Sequence, residues 1–168
     1  MKWAILLLFT AAFCTILWIW QMDNHTSKTG YSRLKNSLDL ATHDAAMQID
    51  KNELARNGRI IFANNAQGIL SATLQKNLRL DLNNYPVAPN MFRSSDQVRV
   101  LVFDKLESGC PNSAAGFPCT YNNTTYGYVD TIRGPSIVAI ISMRHPRPFA
   151  FSADRSYIVG SSHEYKGY

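Results

Sequence analysis

Two serines followed by a histidine, Ser161-Ser162-His163, form the first candidate for nucleophilic catalysis in this chain. A serine nucleophile needs a rigid turn and a base that a third group holds in place. We expect residues 161–168 to form a mobile polar tail, because the segment is polar and lies at the C-terminus. The sequence therefore favours a structural interpretation of these residues over a catalytic one.

Two other groups contain histidines with charged neighbours. His43 follows Asp39 by four residues, so both lie on one face of a predicted helix, where an ion pair is geometrically possible. An exposed polar face accounts for this spacing more simply than a catalytic pair does. Arg144, His145 and Arg147 come at the end of an apolar strand and form a candidate anion-binding edge, for which the alternative is a polar strand end.

A basic and tyrosine-rich segment precedes the most apolar strand. Asp130 and Arg133 stand just before the turn Gly134-Pro135, and an ion pair between them would fasten that turn. A tight turn with solvated charges is the structural alternative. If the chain binds a ligand, we expect the surface to consist of Tyr121, Tyr126, Tyr128 and Arg133.

Cys110 and Cys119 enclose a loop rich in turn-forming residues, so their side chains can meet. Outside the cytoplasm this pair predicts a disulfide, whereas a cytoplasmic domain would carry two free thiols. Neither cysteine has a histidine nearby in the sequence, and we expect no metal site and no cofactor. The sequence also has no Gly-x-Ser-x-Gly, phosphate-binding glycine loop, His-Glu-x-x-His or paired-carboxylate motif, and we expect that the protein is not an enzyme.

The N-terminal segment 1–21 is predicted to be a transmembrane anchor. From Trp3 to Trp20 the residues are apolar except for two threonines, and a helix of this length rises about 27 Å, enough for a hydrocarbon core of about 30 Å. A cleaved signal peptide is the alternative. The short N-terminal overhang favours a single-pass orientation with the N-terminus inside and the following domain outside the cytoplasm.

A polar juxtamembrane linker is predicted at 22–30, followed by an α+β domain at 31–160. A long amphipathic helix should occupy 31–57 and end at Asn57-Gly58, where glycine suits a helix C-cap. Its apolar residues recur at spacings of three and four and form a packing stripe. The stripe consists of Leu34, Leu38, Ala41, Ala45 and Ile49.

The remaining segments predict one shorter helix and an antiparallel sheet of about three to five strands. Asn64-Asn65 can cap a helix that ends near Leu80. Alternating or continuous apolar runs then predict strands. They lie at 97–104, 126–132, 136–143 and 157–159, with 136–143 as the central strand. Helices followed by strands indicate the α+β class.

Length and charge narrow the function classes. With 168 residues the chain has room for one domain of ordinary size. The net charge is +5, but the seventeen lysines and arginines are scattered along the chain rather than clustered. Phosphate backbones are bound by clustered cations, so we expect no nucleic-acid partner.

The order of elements resembles that of pilins and pseudopilins, and in particular the minor pilin-like proteins of Tad-type systems. The resemblance is carried by residues 3–60, an apolar helix with an amphipathic extension, and by the Cys110 and Cys119 loop. It implies a membrane-anchored structural or assembly component of a cell-envelope apparatus in bacteria. Its partners would be the membrane and other proteins, or further copies of the chain through the N-terminal helices.

Two other function classes stay open at this point. The first is an anchored extracytoplasmic ligand-binding or sensor module that uses the tyrosine-rich surface. The second is a membrane-tethered hydrolase that uses His145 or His163.

Overall fold

The computed structural model describes residues 2–111, 116–146 and 156–167. It has the predicted α+β architecture, with helices first and antiparallel sheets after them. The helices are α1 (Lys2–Ala46), α2 (Lys51–Asn57) and α3 (Ala66–Leu78). The strands are β1 (Arg99–Leu106), β2 (Cys119–Asn123), β3 (Tyr128–Ile132), β4 (Ser136–Arg144) and β5 (Ser156–Glu164).

One uninterrupted helix, α1, contains both the predicted anchor and most of the predicted amphipathic helix. The linker predicted at 22–30 is therefore wrong, since this segment is helical throughout. The segment contains no proline, so every backbone N–H can keep its helical hydrogen bond. Gly30, the last residue of this segment, is a weak helix former. It is buried, and a Cβ there would lie 3.0 Å from Pro146 Cγ. Close packing on the domain thus compensates for the low helix propensity of glycine.

The amphipathic helix is shorter than predicted because α1 ends at Ala46 instead of Asn57. Asp50 accepts hydrogen bonds from the backbone N–H groups of Asn52 and Glu53 and starts the separate helix α2. The predicted C-cap at Gly58 is present at the end of α2, with φ of 64°. Ile49, the last residue of the predicted stripe, lies between the two helices and forms an isolated β-bridge with Phe62.

The other four residues of the packing stripe form the centre of the core. Leu34, Leu38, Ala41 and Ala45 are completely buried, and α1 packs here against α3 and β5. From α3 the core receives a second apolar row. That row is Ala66, Leu70, Leu74 and Leu78. The stripe is consequently an internal contact of the domain and not a surface for protein partners.

Two antiparallel sheets complete the domain. The larger has the order β1-β4-β5, so β4 is the central strand, as predicted for the most apolar run. The smaller contains β2, which was not predicted, and β3. Gly134-Pro135 connects β3 to β4 without forming a paired hairpin, because the chain passes there from one sheet to the other.

The predicted mobile tail at 161–168 is wrong for residues 161–164, which continue β5. These residues pair with 136–139 of β4, and the Tyr165 N–H then donates to Pro135 O at 2.9 Å. The polar side chains of this strand find partners on α1 and β3, so the strand needs no apolar run to stay in place.

Candidate functional site

A cleft of about 620 Å³ lies where the C-terminal end of α1 meets β3 and β5. It unites three groups that are far apart in the sequence: the histidine of the long helix, the segment from Asp130 to Arg133, and the C-terminal segment that was predicted as a tail. The lining residues are His43, Met47, Asp130, Thr131, Arg133, Ser162, His163, Glu164 and Lys166. Most of them carry polar or charged groups, so the cleft suits a polar ligand.

Asp130 is the most fully hydrogen-bonded carboxylate in this cleft. It accepts from Ser162 Oγ, from the Thr131 N–H at 2.8 Å and from Tyr128 Oη at 3.1 Å. Burial acts to raise the pKa of Asp130, but these three hydrogen bonds outweigh it and hold the pKa below its ordinary value. Burial, together with the charge of Asp130, raises the pKa of Tyr128 to about 12, so Tyr128 remains a neutral donor.

The predicted ion pair between Asp130 and Arg133 does not form among the described residues. Asp130 is occupied by the three donors above, and the backbone N–H of Arg133, rather than its guanidinium, donates to Glu164 Oε1 at 2.8 Å. Arg133 follows the last residue of β3, and its side chain is exposed at the cleft. The turn is thus held by the side chain of Glu164, the last residue of β5.

Two imidazole rings meet at the cleft, one from α1 and one from β5. The ring centroids of His43 and His163 are 5.5 Å apart and the planes are inclined by 75°, an edge-to-face arrangement. Burial, and then the neighbouring His43, lower the pKa of His163 below 6.5. The sequence could not reveal this pair, because the two histidines are separated by most of the domain.

Asp39 does not form the ion pair with His43 that the helix spacing made geometrically possible. Lys35 Nζ contacts Asp39 Oδ1 at 2.5 Å, and Ser161 Oγ donates to the same oxygen at 2.7 Å. Lys35 Nζ also donates to Gly160 O at 2.9 Å. These contacts fasten β5 to α1 directly behind the cleft.

The two serines of Ser161-Ser162-His163 each donate to a carboxylate and not to an imidazole. Adjacent residues of a strand point to opposite faces, so Ser161 reaches Asp39 on α1 while Ser162 reaches Asp130 on β3. Nucleophilic activation needs a hydrogen bond between the hydroxyl and a base. In the described structure, the nearest imidazole in sequence, His163, instead contacts His43.

The tyrosine-rich ligand surface predicted from the sequence is not one exposed surface. Tyr121 is buried and donates to Asp104 Oδ2 at 2.5 Å, and burial with this bond raises its pKa to about 12. Tyr128 packs against Tyr121 with ring centroids 6.3 Å apart. Tyr126 is half-buried in the turn between β2 and β3. Of the four residues, only Arg133 lines the cleft.

The predicted disulfide between Cys110 and Cys119 is present, with a Cα–Cα distance of 5.9 Å. Both sulfurs belong to a second apolar cluster, separate from the main core. The cluster contains Leu106, Cys110, Cys119, Tyr121, Ile132 and Val138. The disulfide therefore links the start of β2 to the loop that follows β1.

The predicted anion-binding edge is only partly described. Arg144 lies 3.9 Å from Asp96 Oδ1, and His145 packs against Tyr157 with ring centroids 5.0 Å apart. Arg147 lies outside the described residues. Within the described ranges, no group of three histidine, cysteine or acidic side chains is arranged to hold a metal ion.

Glu164 and Lys166 lie in a polar C-terminal segment that predicts a tail, so the sequence did not indicate them as site residues. Residues 160–164 contain no apolar side chain that could have revealed the continuation of β5, although Val159 and Ser161 are buried there and Ile158 is exposed. Comparison of the chain with protein-family models, with curated proteins and with solved structures finds no match.

Proposed function

We propose that this protein is a membrane-anchored structural or assembly subunit of a cell envelope, similar in plan to the pilin-like proteins. The observation that carries the proposal is the two-part helix α1. Within the described chain, α1 is the one helix long and apolar enough to cross a membrane. The same helix continues, without a break, into the centre of the domain core.

The exposed part of α1 has the surface of a lipid-facing helix. Large apolar side chains project from it on all sides, for example Trp3, Leu8, Phe13 and Trp20, each more than half exposed. A helix that is apolar all round is typical of a membrane span. Thr10 and Thr15 return their hydroxyls to backbone carbonyls one turn earlier, as a lipid environment favours.

The junction between anchor and domain is rigid and short. Tyr157 Oη donates to Ser27 O at 2.8 Å, and Ser27 lies seven residues beyond Trp20, about 10 Å along the helix. The domain thus contacts α1 within about two helical turns of the apolar segment. Such a junction suits a subunit that must hold its domain at a fixed height and angle, rather than a module on a flexible tether.

An extracytoplasmic position of the domain belongs to the proposal. Disulfides persist in oxidising compartments, and the Cys110–Cys119 bond supports that side of the membrane. Orientation is tested in intact cells with a membrane-impermeant maleimide, in a Cys14→Ser background. We expect Lys28→Cys to react from outside and Lys2→Cys to react only after permeabilisation. The reverse pattern would contradict the proposed orientation.

The assembly role is tested by photocrosslinking from four consecutive positions, Ile5 to Leu8, in the native membrane. A helix that packs on a protein partner should give protein adducts from one face, with helical periodicity, and lipid adducts from the other. Leu40, which is exposed on the domain half of α1, is the control for contacts made above the membrane. Lipid adducts alone at all four positions would exclude assembly through the anchor. Release of the protein by carbonate would exclude the anchor itself.

A further inference from the structure

We propose that the cleft between α1, β3 and β5 binds a small ligand through an oxyanion group, a phosphate or a carboxylate. This inference goes beyond the anchoring role and does not depend on it. It follows from which charged groups of the cleft are already engaged within the protein and which are not.

Both acidic residues that line the cleft have internal donors. Asp130 accepts hydrogen bonds from Ser162, Tyr128 and the Thr131 N–H. Glu164 accepts one from the Arg133 N–H. Hydrogen bonds of this kind satisfy carboxylate oxygens and reduce their demand for a cationic ligand. The acids of the cleft therefore serve mainly to hold β3 against β5.

The cationic residues of the cleft are available to a ligand. The side chains of Arg133 and Lys166 are exposed at the cleft. In the part of the chain that the structure describes, no hydrogen bond or ion pair engages the Arg133 guanidinium or the Lys166 ammonium group. A guanidinium offers paired N–H donors that match two oxygens of one carboxylate or phosphate.

The histidine pair adds two further nitrogen donors on the side of the cleft formed by α1 and β5. His43 and His163 are each half-buried, and their edge-to-face contact fixes their relative orientation. Several charged groups surround them: Lys35 and Asp39 on α1, Asp130 and Arg133 on or beside β3, and Glu164 and Lys166 beyond His163. An oxyanion close to the ring of His163 would favour its protonated form, so oxyanion binding should strengthen as the pH falls.

The size of the cleft agrees with a small ligand. Pockets for small molecules typically measure about 300–1,000 Å³, and this one measures about 620 Å³. Its open, polar lining is suited to a hydrophilic compound with one or more oxyanion groups. The size of the cleft and its unengaged cations together point to phosphate or carboxylate recognition by Arg133, Lys166 and the two imidazoles.

Two oxyanions serve as probes for the full chain in zwitterionic detergent micelles: sulfate, a tetrahedral dianion whose charge does not change with pH, and succinate. The readout is the NMR shift of the imidazole C–H groups of His43 and His163, with the ionic strength held constant by chloride. We expect a saturable shift with at least one probe, and the stronger probe identifies the oxyanion geometry. Sulfate that binds should bind more tightly at lower pH.

Arg133→Gln should weaken binding about tenfold, the effect of losing a charge-assisted hydrogen bond. The variant should keep its fold, because the contact of Arg133 with Glu164 uses the backbone N–H. Arg59→Gln is the matched control, since Arg59 is exposed and does not line the cleft. Lys166→Gln and the exposed Lys51→Gln form a second such pair.

Three results would overturn the proposal. The first is the absence of a saturable shift with both probes. The second is equal weakening by Arg133→Gln and Arg59→Gln, which would indicate unspecific charge attraction. The third is sulfate binding that stays constant as the pH falls.

Discussion

The ring of Tyr128 lies directly on Gly160. A Cβ built on Gly160 would come within 2.2 Å of Tyr128 Cδ2, which no real side chain tolerates. On the same residue, the carbonyl oxygen accepts a hydrogen bond from Lys35 Nζ at 2.9 Å. Gly160 is thus the place where β3, β5 and α1 come together, immediately beside the cleft.

Gly160→Ala should therefore destabilise the domain by about 1–3 kcal/mol, the usual cost of overpacking. The methyl group would displace the Tyr128 ring and with it the hydrogen bond from Tyr128 Oη to Asp130. Gly68→Ala is the control, because Gly68 lies exposed on α3 with nothing near its Cβ position, and alanine favours a helix. Chemical unfolding of the full chain in micelles measures both. Tyr128→Ala should relieve part of the Gly160→Ala loss, and strictly additive losses would contradict the contact.

The buried stripe of α1 gives a second prediction. Leu38→Ala should reduce the free energy of unfolding by about 2–5 kcal/mol, because Leu38 is completely buried and its removal leaves a cavity. Leu40→Ala, two residues further along the same helix, should change it by less than about 0.5 kcal/mol, since Leu40 is 49% exposed. Both variants exchange the same residue types in one helix, so the difference reports burial. Similar losses in the two would mean that α1 is rotated relative to the domain.

The disulfide should contribute to stability through the loop that it closes. Cys110 and Cys119 are nine residues apart, and a loop of this length corresponds to about 2–3 kcal/mol in the chain-entropy view. The double variant Cys110→Ser/Cys119→Ser should lose about this amount in unfolding experiments. Cys14→Ser should lose nothing in the same experiment, because Cys14 is exposed on the apolar part of α1. Full stability of the double variant under oxidising conditions would show that the covalent link is dispensable.

We expect His163 to make the free energy of unfolding depend on pH. Its pKa is lowered in the folded state, mainly by burial and then by His43, so the unfolded chain binds more protons below pH 6.5. The free energy of unfolding should consequently decrease as the pH falls through 6.5, and the decrease should stop below the folded-state pKa. Asp130, with a pKa below 3.8, acts only at more acidic pH.

His163→Gln should flatten this slope, whereas His25→Gln, in an exposed part of α1, should leave it unchanged. Unfolding by denaturant, repeated at several pH values between neutrality and the acidic range, measures the slope. A steeper slope in His163→Gln than in the unaltered chain would contradict the prediction.

Local sequence patterns were sufficient to predict the elements that depend on neighbours in the chain. The spacing of Leu34, Leu38, Ala41 and Ala45 predicts one buried helix face, and all four are completely buried. The apolar run at 136–143 predicts the central strand, which is β4. Two cysteines around a turn-rich loop predict the disulfide. In each case the physical cause, periodic burial or loop closure, acts within a short stretch.

The linker and the tail were predicted incorrectly for one common reason. Both segments are polar, and polarity by itself indicates only that a segment can face water. Gly30 is helical because Pro146 packs on it, and residues 161–164 form a strand because β4 pairs with them. Partners so distant in the chain leave no periodic signal in the segment itself.

The amino-acid sequence alone determined the apolar first helix, the α+β class, the core stripe and the disulfide, because hydrophobicity and short-range spacing are properties of the chain itself. Only the tertiary structure decided that the apolar segment and the domain share one continuous helix, and that His43, Asp130, Arg133 and His163 meet in a single cleft. Those relationships depend on packing between α1, β3 and β5, which lie far apart in the sequence. Side chains brought together in this way are positioned by the fold, and no local pattern encodes their meeting.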